Sequence, residues 1–445
     1  MENKEQTKKV DCVVLGAGLS GLAAGYELHK QGKSFVVLER ATIAGGVIIS
    51  SKIDDFVIEH GPNSLVLTPE VKQLCKELHI EDQLLYAKSQ SKIRQIIWGN
   101  KLHTLKPSPL TIVTTSLLSV SGKLRLLKEL FIKSKSATGE SVHDFFTRRL
   151  GTEAAERMAG AIVSGIYAGD PKQLEIAAIF PRLVELEKEY GSVIKGLAKS
   201  KGPERVIANF KNGLQTLTDS LSKAIEEHVR FETHITSITR LAKHNSWQVN
   251  YRIGDNSYTI ETSHVISTIP AYALDKISGT SFPRLDIAYN PMLTLQVAVP
   301  KKAFMEKTMG FGFLASPFER KDFIGVMLNG HIFDTGLNET EALVNFFVRP
   351  DNCETQDAST LFTELCTPLF KEWTGITEPI RLVSSKLWAQ AIPQKTIGHT
   401  AWLQDVAAWE QENSGFHIAG NYKNGVALGD CVAHHQELVK ELFQS

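Results

Sequence analysis

The sequence predicts an α/β fold that combines a parallel sheet, an antiparallel sheet and a helical subdomain. Residues 10–40 hold two short apolar runs with a helical pattern between them, which is typical of a parallel strand–helix–strand unit. Residues 246–261 alternate apolar and polar side chains around a turn at 254–256, which indicates an antiparallel hairpin. Residues 107–198 read mostly as helices. With 445 residues, the chain is long enough for two or three domains with cores of their own.

Composition and charge exclude several functional classes. The 49 basic and 49 acidic residues balance and no basic tail is present, so the charge pattern does not indicate nucleic-acid binding. The five cysteines are an odd number without a CxxC pair, which argues against a zinc site or disulfide framework and favours a reducing, cytoplasmic compartment. No apolar run reaches the roughly 18 residues of a membrane-spanning helix, and the polar N-terminus does not read as a secretory signal.

A glycine loop follows the first apolar run directly. Residues 16–21 read Gly-Ala-Gly-Leu-Ser-Gly, in which Gly16 suits a tight turn, Gly18 a close approach to a pyrophosphate, and Gly21 close packing of helix on strand. The N-terminus of the following helix offers free N–H groups and a partial positive charge. Glu39 ends the second apolar run eighteen residues after Gly21, close to the roughly 20 expected for an acid that binds a ribose hydroxyl. These features predict a Rossmann-like dinucleotide-binding domain, with a chance glycine turn as the alternative.

The next segment predicts a small hairpin. Gly45 and Gly46 indicate a backbone turn, residues 47–50 and 56–59 two strands, and residues 61–64 a loop. On the residues alone, the segment is either a plain hairpin or a lid over the cofactor.

The run from Val13 to Ser64 resembles the flavin-binding half of the monoamine oxidase and protoporphyrinogen oxidase superfamily. In that superfamily the glycine loop, the strand-end glutamate, the double glycine and an E-x-GP element belong to one FAD site. Many relatives carry a long basic side chain after the double glycine, where this chain has Val47. The resemblance implies FAD as the cofactor, contacted in this part of the chain by Gly16, Ala17, Gly18, Leu19, Ser20, Gly21, Glu39, Arg40, Gly46, Val47, Gly61, Pro62, Asn63 and Ser64.

A strand–turn–strand unit follows a predicted helix at residues 68–85. It turns at residues 99–100, precedes the text KPSP, and resembles the protoporphyrinogen oxidases specifically. Arg94 stands at its entry and has two interpretations. As an arginine on an edge strand it does nothing specific, whereas as a cation facing a cavity it would bind a carboxylate bidentately.

The helical subdomain contains a segment with two alternative roles. Residues 110–133 interleave leucines with basic side chains, so the segment either packs its apolar face inward or lies on a surface of anionic lipid. Further on, SGIYAGDP (residues 164–171) and the text of residues 179–197 resemble the protoporphyrinogen oxidases and not the amine oxidases. Gly165 and Gly169 would bracket a turn where a large ligand comes close to the backbone, but a plain helix–turn–helix is equally compatible.

The second half of the chain predicts a return to the cofactor sheet and then a substrate domain. Residues 199–203 read as a linker and residues 229–238 as a strand, in which the resemblance places the backbone of Ile235 against the adenine. Short strands and helical regions, the latter beginning near residues 340 and 358, then indicate an antiparallel substrate domain. Phe311 and Phe313 are either core residues or walls of an apolar cavity.

The C-terminal text GNYKNGVALGDCV closely resembles the second FAD element of the protoporphyrinogen oxidases. We expect a strand at residues 416–419, a glycine-containing loop at 420–425 and a helix at 426–443. There a helix N-terminus would stabilise the negative charge of the reduced flavin. The cofactor contacts implied at this end are Gly420, Val426, Ala427 and Leu428.

The resemblance covers nearly the whole chain and implies a discontinuous domain plan. The expected FAD-binding parts are residues 1–88, 203–272 and 396–445, the substrate-binding parts 89–106 and 273–395, and the helical subdomain 107–202.

The resemblance also implies an activity. We expect an oxidase of haem biosynthesis that aromatises protoporphyrinogen IX or coproporphyrinogen III, passing hydride from a meso carbon to flavin with dioxygen as the acceptor. The substrate contacts implied are Arg94, Gly165, Phe311 and Phe313. We predict no metal and name no catalytic base, because the sequence has no Ser-His-Asp set, metal cluster or telling pair of carboxylates. A flavin amine oxidase, a carotenoid-type desaturase and a non-catalytic FAD-fold carrier of prenylated proteins are the alternatives, and a homodimer is left open.

Overall fold

The structure is a computed structural model that describes residues 8–106, 111, 114–200, 205–242, 244–283, 285–306 and 310–443. The strands among these residues are β1 (Lys8–Leu15), β2 (Phe35–Leu38), β3 (Ser50–Ile53), β4 (Phe56–Glu59), β5 (Leu65–Val66), β6 (Leu84–Tyr86), β7 (Arg94–Trp98), β8 (Lys101–Leu105), β9 (Ile207–Phe210), β10 (Val229–Arg230), β11 (Thr233–Leu241), β12 (Ser246–Ile253), β13 (Asn256–Ser267), β14 (Tyr289–Pro300), β15 (Gly312–Ala315), β16 (Phe323–Met327), β17 (Glu341–Val348), β18 (Arg381–Pro393) and β19 (Phe416–Ile418).

The α-helices among the described residues are α1 (Leu19–Lys30), α2 (Pro69–Glu77), α3 (Val120–Leu127), α4 (Val142–Leu150), α5 (Thr152–Ala154), α6 (Gly160–Tyr167), α7 (Ile176–Ile179), α8 (Pro181–Tyr190), α9 (Val193–Lys199), α10 (Gln215–Ala224), α11 (Ala271–Leu274), α12 (Lys301–Met305), α13 (Asn329–Ile332), α14 (Ala358–Leu361), α15 (Thr367–Thr374), α16 (His399–Glu412), α17 (Asn421–Asn424) and α18 (Leu428–Phe443). Shorter 3₁₀ turns lie at Glu81–Gln83, Ser89–Lys92, Lys128–Phe131, Glu226–His228, Asp334–Gly336 and Pro350–Asn352, and π-helical turns at Ala155–Ala159 and Phe362–Cys366.

The first sheet is built around β1. Its strands lie in the order β10–β2–β1–β13–β12–β11, with β19 also beside β13. β1 pairs in parallel with β2 and β13, so that Val14 lies between Val37 and Ile266. β11, β12 and β13 pair antiparallel. The parallel sheet and the antiparallel hairpin that the sequence predicts are both confirmed.

The apolar sequence of β1 follows from burial on both faces. Cys12 and Val14 pack in one buried cluster with Leu22 of α1, whereas Val13 packs on the opposite face with Trp247. A strand covered on both faces carries apolar side chains at successive positions rather than at alternate ones.

The second sheet has the order β18–β14–β17–β16–β15–β7–β8. Its strands pair antiparallel except β15 and β7, which pair in parallel. One face holds Leu295, Val297 and Phe346 in a core shared with Phe370 and Trp373 of α15. This is the antiparallel sheet that the sequence predicts.

The helical region expected to begin near residue 340 is wrong. Residues Glu341–Val348 form strand β17, which hydrogen-bonds to β14 on one side and β16 on the other. A continuous apolar run has no clear period, so pairing with two neighbouring strands decides its structure. The helix expected from residue 358 is present, with a π-helical turn at Phe362–Cys366.

Three predicted boundaries near the cofactor elements also shift. The strand expected at 47–50 begins only at Ser50, because positive φ angles at Gly45 and Gly46 continue the turn. The helix expected over 68–85 ends at Glu77, since His79 takes a left-handed φ of 56°. The strand expected over 229–238 is split where Glu232 takes a φ of 56°.

A buried network of charges, which the sequence analysis did not predict, holds the helical subdomain together. Arg149 is fully buried, and its guanidinium donates to the carboxylate of Glu129, which is fully buried as well. Arg148 donates to Glu140 and to Glu187 at 2.7 Å each. Buried charges cost free energy unless they are paired and hydrogen-bonded, so this network fixes how the helices pack.

Parts of several sequence predictions lie outside the described residues. They are residues 107–109 of the KPSP text, residues 110 and 112–113 of the leucine–lysine segment, and residues 201–203 of the expected linker. None of the helices that the structure describes is long and apolar enough to cross a bilayer.

Candidate functional site

The first glycine loop exposes backbone rather than side chains. Gly16 has a φ of +96°, and a Cβ atom on Gly21 would lie 1.9 Å from the carbonyl oxygen of Gly16, so both positions require glycine. A Cβ atom on Gly18 would have no described residue within 4 Å and would point into open space. The close packing at Gly21 and the open approach at Gly18 are the two roles that the sequence predicts for these glycines.

Helix α1 begins directly after the loop. Gly18 is its N-cap, so no side chain caps the first turn, and the N–H of Leu22 is the donor that returns to the Gly18 carbonyl at 2.9 Å. The N–H groups of Ser20 and Gly21 therefore lie at a helix N-terminus beside the open space over Gly18. Such a terminus suits an anion, because its N–H groups and the helix dipole both favour negative charge.

The Glu39 carboxylate is tied to the same loop. Its two oxygens accept hydrogen bonds from the backbone N–H groups of Ala17 and Ala41, at 2.7 Å each. Each carboxylate oxygen can accept a second hydrogen bond, so a ribose hydroxyl can still bind there. Contact between Glu39 and the cofactor stays a prediction. Arg40 is exposed, and its positive charge acts on Tyr272.

The double glycine packs against the first loop. The Gly45 N–H donates to the Ala17 carbonyl at 2.8 Å, and a Cβ atom on Gly46 would lie 3.3 Å from the Cα of Gly18. Val47 follows with 45% of its surface exposed. The two glycine segments thus form one cradle of backbone, and Val47 lies at its exposed margin.

The loop at residues 61–64 lies between this cradle and the second sheet. A Cβ atom on Gly61 would lie 1.9 Å from the carbonyl oxygen of Val47, which requires glycine there. Asn63 is buried, accepts a hydrogen bond from Asn345 of β17, and donates to the Gly61 carbonyl at 3.0 Å. Pro62 and Ser64 are partly buried beside it.

Glu59 is a buried carboxylate whose role the sequence analysis missed. It accepts hydrogen bonds from Ser50, from the side chain of Asn209 and from the N–H of Leu214. Burial raises the pKa of Glu59, and these donors only partly offset that effect. Because its oxygens are occupied by protein donors, Glu59 anchors the hairpin to α10. In the sequence, Glu59 is marked only by the E-x-GP pattern. Its structural role follows from its hydrogen bonds to Ser50, Asn209 and Leu214.

The C-terminal element lies against the first glycine loop. Cys431, in the first turn of α18, donates to the Gly425 carbonyl at 3.5 Å and is hydrogen-bonded to Ser20 of α1. Gly425 has a φ of +115°, and a Cβ atom there would have no described residue within 4 Å. The two ends of the chain therefore meet, as the sequence predicts.

The boundaries of this element need correction. The expected loop at 420–425 contains the short helix Asn421–Asn424, and the last helix begins at Leu428 rather than Val426. The carbonyl of Gly420 accepts from Lys423, which closes a helical turn inside the loop. Val426, Ala427 and Leu428 are at least partly exposed at the start of the helix. Ile235, the residue predicted to face the adenine, lies in β11 at the edge of the first sheet. A β-bulge separates it from Ser237.

Arg94 and Phe311 lie where the second sheet meets a small three-stranded sheet of order β5–β9–β6. The Arg94 guanidinium lies 4.2 Å from the centre of the Phe311 ring and donates to the backbone oxygens of Ser91 and Ile93. Within the described part of the chain, no carboxylate pairs with Arg94, and burial lowers the pKa of its guanidinium. Phe311 packs in a cluster that joins the second sheet to Ile207 of the cofactor region. Arg94 is therefore a partly buried cation without a carboxylate partner among the described residues, and its contact with a substrate stays a prediction.

Two predicted substrate contacts lie in a different structural setting from the one expected. Phe313 is 1% exposed and packs against Phe370 and Trp373 in the core of the second sheet, so it does not line an open cavity. Gly165 lies inside helix α6 rather than in a turn, because the left-handed residue that ends this helix is Ala168. A Cβ atom on Gly165 would lie 2.7 Å from the Leu314 side chain, so its glycine serves helix–sheet contact.

Helix α6 nevertheless presents an apolar face that the sequence analysis missed. Ile162 and Ile166 are 43% and 44% exposed, at helical spacing and on either side of exposed Gly165. On its buried side, Tyr167 packs in a cluster with Val426. Burial raises the pKa of Tyr167, and nearby Asp430 adds to that effect. The exposed apolar face therefore begins next to the C-terminal glycine element.

These features fit a bound dinucleotide. Gly18 and Gly425 lack neighbours within 4 Å among the described residues, so a side chain at either position would point into open space. The donors around that space are backbone N–H groups at a helix start, which suit a pyrophosphate. The described residues contain no cluster of His, Cys, Asp or Glu that could hold a metal ion.

Comparison with known proteins connects this site to a family. The model of a family described as flavin containing amine oxidoreductase matches residues 19–433 of the chain. The chloroplastic protoporphyrinogen oxidase of Nicotiana tabacum is 27% identical, over 98% of this chain and 85% of that protein. The coproporphyrinogen III oxidase of Bacillus subtilis (strain 168) is 24% identical, over 97% of this chain and 98% of that protein.

Solved structures share the same fold. A protein from Exiguobacterium sp. 255-15 that is assigned as a protoporphyrinogen oxidase has a TM-score of 0.80 at 21% identity, over 98% of this chain and 99% of that one. A reduced UDP-galactopyranose mutase has a TM-score of 0.73 at 15% identity, over 98% of this chain and 96% of that one. At these identities the likeness establishes the fold alone.

Proposed function

Because the chain belongs to the flavin-containing amine oxidoreductase family, it is a flavin oxidoreductase with FAD as its cofactor, and we propose that it oxidises a porphyrinogen to a porphyrin in haem biosynthesis. The observation that carries this proposal is similarity along nearly the whole length to relatives named for that reaction. Three features support it: a cradle of backbone for a dinucleotide, an exposed apolar helix face, and a partly buried arginine beside Phe311.

Different residues of the chain would bind different parts of FAD. The N–H groups of Ser20 and Gly21 would hold the pyrophosphate, Glu39 a ribose hydroxyl, and the turn at Gly425 the flavin end of the cofactor. Bound FAD would supply the redox chemistry by accepting a hydride from a meso carbon of the substrate, and dioxygen would then reoxidise it. The proposal names no general base in this chain.

The substrate side would combine an apolar surface with a cation. A porphyrinogen is an apolar macrocycle with carboxylate arms, so Ile162 and Ile166 of α6 would contact the ring and Arg94 would bind a carboxylate. An arginine can form two parallel hydrogen bonds to a carboxylate, which fixes the orientation of the macrocycle. The ring of Phe311 would keep the guanidinium in place by cation–π contact.

Two porphyrinogens are candidates, and different observations favour each. The plant protoporphyrinogen oxidase of Nicotiana tabacum has the higher identity, 27% against 24%, which favours protoporphyrinogen IX. The bacterial coproporphyrinogen III oxidase has nearly the same length as this chain, with 98% of it covered against 85% of the plant protein, which favours coproporphyrinogen III.

The experiment is a comparison of the two substrates. The purified protein should show the visible spectrum of a flavoprotein and should form a fluorescent porphyrin from at least one of the two porphyrinogens. The ratio of the two kcat/KM values assigns the substrate. A flavoprotein that turns over neither porphyrinogen would contradict the proposal, and oxidation of an amine instead would indicate an amine oxidase.

We also propose a peripheral contact with the cytoplasmic face of a membrane. Val120, Leu124, Leu127 and Phe131 are between 57% and 80% exposed and recur at helical spacing on α3 and the turn after it. Isolated exposed apolar residues are ordinary, but a helical stripe of large ones indicates a binding surface. We call these four residues the apolar stripe.

The surroundings of the apolar stripe favour anionic lipid as its partner. Lys128, Lys133 and Lys135 are exposed in the same segment. A cavity of about 430 Å³ beside the stripe is lined by Phe131, Lys133, Lys135 and Lys195 among others. Lysines next to an exposed apolar helix face attract anionic headgroups while the apolar side chains enter the interface. An apolar substrate held at a membrane would also reach the enzyme without crossing water.

A further inference from the structure

Lys395 is a buried ammonium group next to the C-terminal cofactor element. It follows strand β18, and 5% of its surface is exposed. Its Nζ lies 3.4 Å from the backbone oxygen of Lys423, which is a long and weak hydrogen bond. Within the ranges that the structure describes, no aspartate or glutamate lies within ion-pair distance of this group. The buried ammonium therefore has three N–H donors but only one weak hydrogen bond and no counter-ion among the described residues.

The surroundings of Lys395 belong to both cofactor elements. Its charge acts on the thiol of Cys431 in the first turn of α18. That thiol donates to the carbonyl of Gly425 and is hydrogen-bonded to Ser20 in the first turn of α1. Lys395 therefore lies behind the contact between the two glycine elements. Lys395 is almost fully buried, so it would not touch a bound cofactor. Its charge would act on the cofactor through the turn at Gly425.

A buried charge without a counter-ion is unfavourable unless an anion compensates it. FAD is such an anion, and it gains a further negative charge when a hydride brings it two electrons and one proton. By linkage, a cation that favours the reduced cofactor must bind its own proton more tightly once the cofactor is reduced. The position of Lys395 is therefore suited to sensing the redox state of the site.

We propose that Lys395 stabilises the reduced, anionic state of the bound flavin and so raises the reduction potential of the cofactor. The proposal depends on the flavin being bound as described above, but not on the identity of the substrate. Lys395 does not contact the reactants in this proposal. It acts only through the electrostatic effect of its buried positive charge.

The pH at which this charge is lost follows from the neighbours. Burial lowers the pKa of Lys395 to about 8. His399, on the helix that follows, has a pKa lowered to about 4 by burial and by the charge of Lys395, so it is neutral. Burial raises the pKa values of Cys431 and Tyr422, which keeps both protonated.

Two further charged residues contact Lys395 through their backbones, and the side chains of both have other partners. The ammonium of Lys423 pairs with Glu410 at 2.7 Å. The carboxylate of Glu175, whose backbone N–H donates to the Lys395 carbonyl, accepts a hydrogen bond from the N–H of Thr400 at 2.9 Å. Of the groups named here, Lys395 is therefore the one whose charge changes near pH 8.

The test is a redox titration of the FAD-loaded protein against a reference dye, on both sides of pH 8. Lys395→Met should make reduction less favourable by roughly tenfold or more below pH 8, which is about 30 mV for a two-electron couple. Lys395→Arg should keep the wild-type potential there and hold it above pH 8. Lys440→Met, which removes a lysine from the last helix at a distance from the site, is the matched control and should leave the potential unchanged.

The wild-type protein provides a second measurement that needs no variant. Between pH 8 and the higher pKa of Lys395 in the reduced protein, about one unit above it for a tenfold effect, reduction should take up one extra proton, and the potential should fall by about 30 mV more per pH unit than below pH 8. A Lys395→Met protein with the wild-type potential would overturn the proposal, and so would a wild-type protein without this change in slope. Both results are independent of whether either porphyrinogen is a substrate.

Discussion

A Cβ atom on Gly21 would lie 1.9 Å from the carbonyl oxygen of Gly16. That oxygen belongs to the backbone of the glycine loop and cannot move without opening the turn at Gly16, which has a φ of +96°. Gly21→Ala should therefore lower both the melting temperature of the cofactor-free protein and its flavin content. Thermal unfolding of the protein without cofactor measures the first effect, and unchanged stability would show that the loop adapts.

Gly18→Val should behave differently, because no described residue lies within 4 Å of the position of its Cβ. Its φ of −69° is also one that valine adopts. The variant should fold with the wild-type melting temperature in the absence of cofactor, and it should fail to bind FAD, since the side chain would fill the space of the pyrophosphate. A Gly18→Val protein purified with full flavin content would contradict the placement of the cofactor.

Arg94→Ala should raise the KM for the porphyrinogen by roughly 10–150-fold, the equivalent of losing a charge-assisted contact of about 1.5–3 kcal/mol. If this contact is already made when the substrate binds, kcat should change much less. Arg94→Lys should recover part of the affinity, because it keeps the charge without the paired donors.

Lys101→Ala, at the exposed turn end of the same hairpin, is the control for Arg94 and should leave KM unchanged. The FAD content of all three variants should match the wild type. A wild-type KM in Arg94→Ala would show that this cation has only a structural role beside Phe311. Loss of flavin would instead place Arg94 at the cofactor.

Acid should weaken the packing of the helices around Glu187. Burial alone would raise the pKa of Glu187, but hydrogen bonds from Arg148 and Ser136 outweigh it and hold the pKa below its ordinary value. A carboxyl with a lowered pKa stabilises the folded state above its unfolded-state pKa, roughly 4.3 for glutamate, and this stability is lost as the pH falls through the lower, folded value.

Glu187→Gln should therefore lower the melting temperature at neutral pH and make it less dependent on pH below about 4. Thermal unfolding at several pH values measures both effects. Glu185→Gln, which changes an exposed residue on the same helix, is the control and should follow the wild type. An acid dependence in Glu187→Gln that equals the wild type would assign the effect to other carboxylates.

The apolar stripe should decide membrane binding. Leu124→Glu combined with Leu127→Glu should abolish co-sedimentation with anionic vesicles at low salt, because two carboxylates would enter the apolar interface. Tyr258→Ser, which removes an exposed apolar residue from the distant hairpin of the first sheet, is the control and should leave binding unchanged. Wild-type protein that ignores anionic vesicles would contradict the proposed contact.

The parts of the site that could be predicted from the sequence are those where the backbone conformation or close packing requires glycine. Gly16 and Gly21 could be placed because tight turns and close packing leave a direct mark on the sequence. Glu59 and Lys395 could not be placed, since their roles depend on partners more than a hundred and about thirty residues away, respectively. No local pattern records such partners.

The same limit explains the errors in the second sheet. Phe313 and Leu314 are both large and apolar, and the face that each occupies depends on which strands β15 pairs with. Phe313 consequently lies in the core, and Leu314 contacts Gly165. The sequence of β17 predicts a helix for a related reason, because the apolar run has no clear period and only pairing with strands on both sides makes it a strand.

The central claim is that a porphyrinogen reduces the flavin of this protein. The most direct measurement is to mix the FAD-loaded protein with protoporphyrinogen IX or coproporphyrinogen III without oxygen and to follow the absorption of the oxidised flavin in a single turnover. We expect one of the two substrates to bleach the flavin, and admission of oxygen to restore it with the appearance of porphyrin fluorescence. A flavin that stays oxidised with both porphyrinogens, while the same protein is reduced by dithionite, would contradict the account.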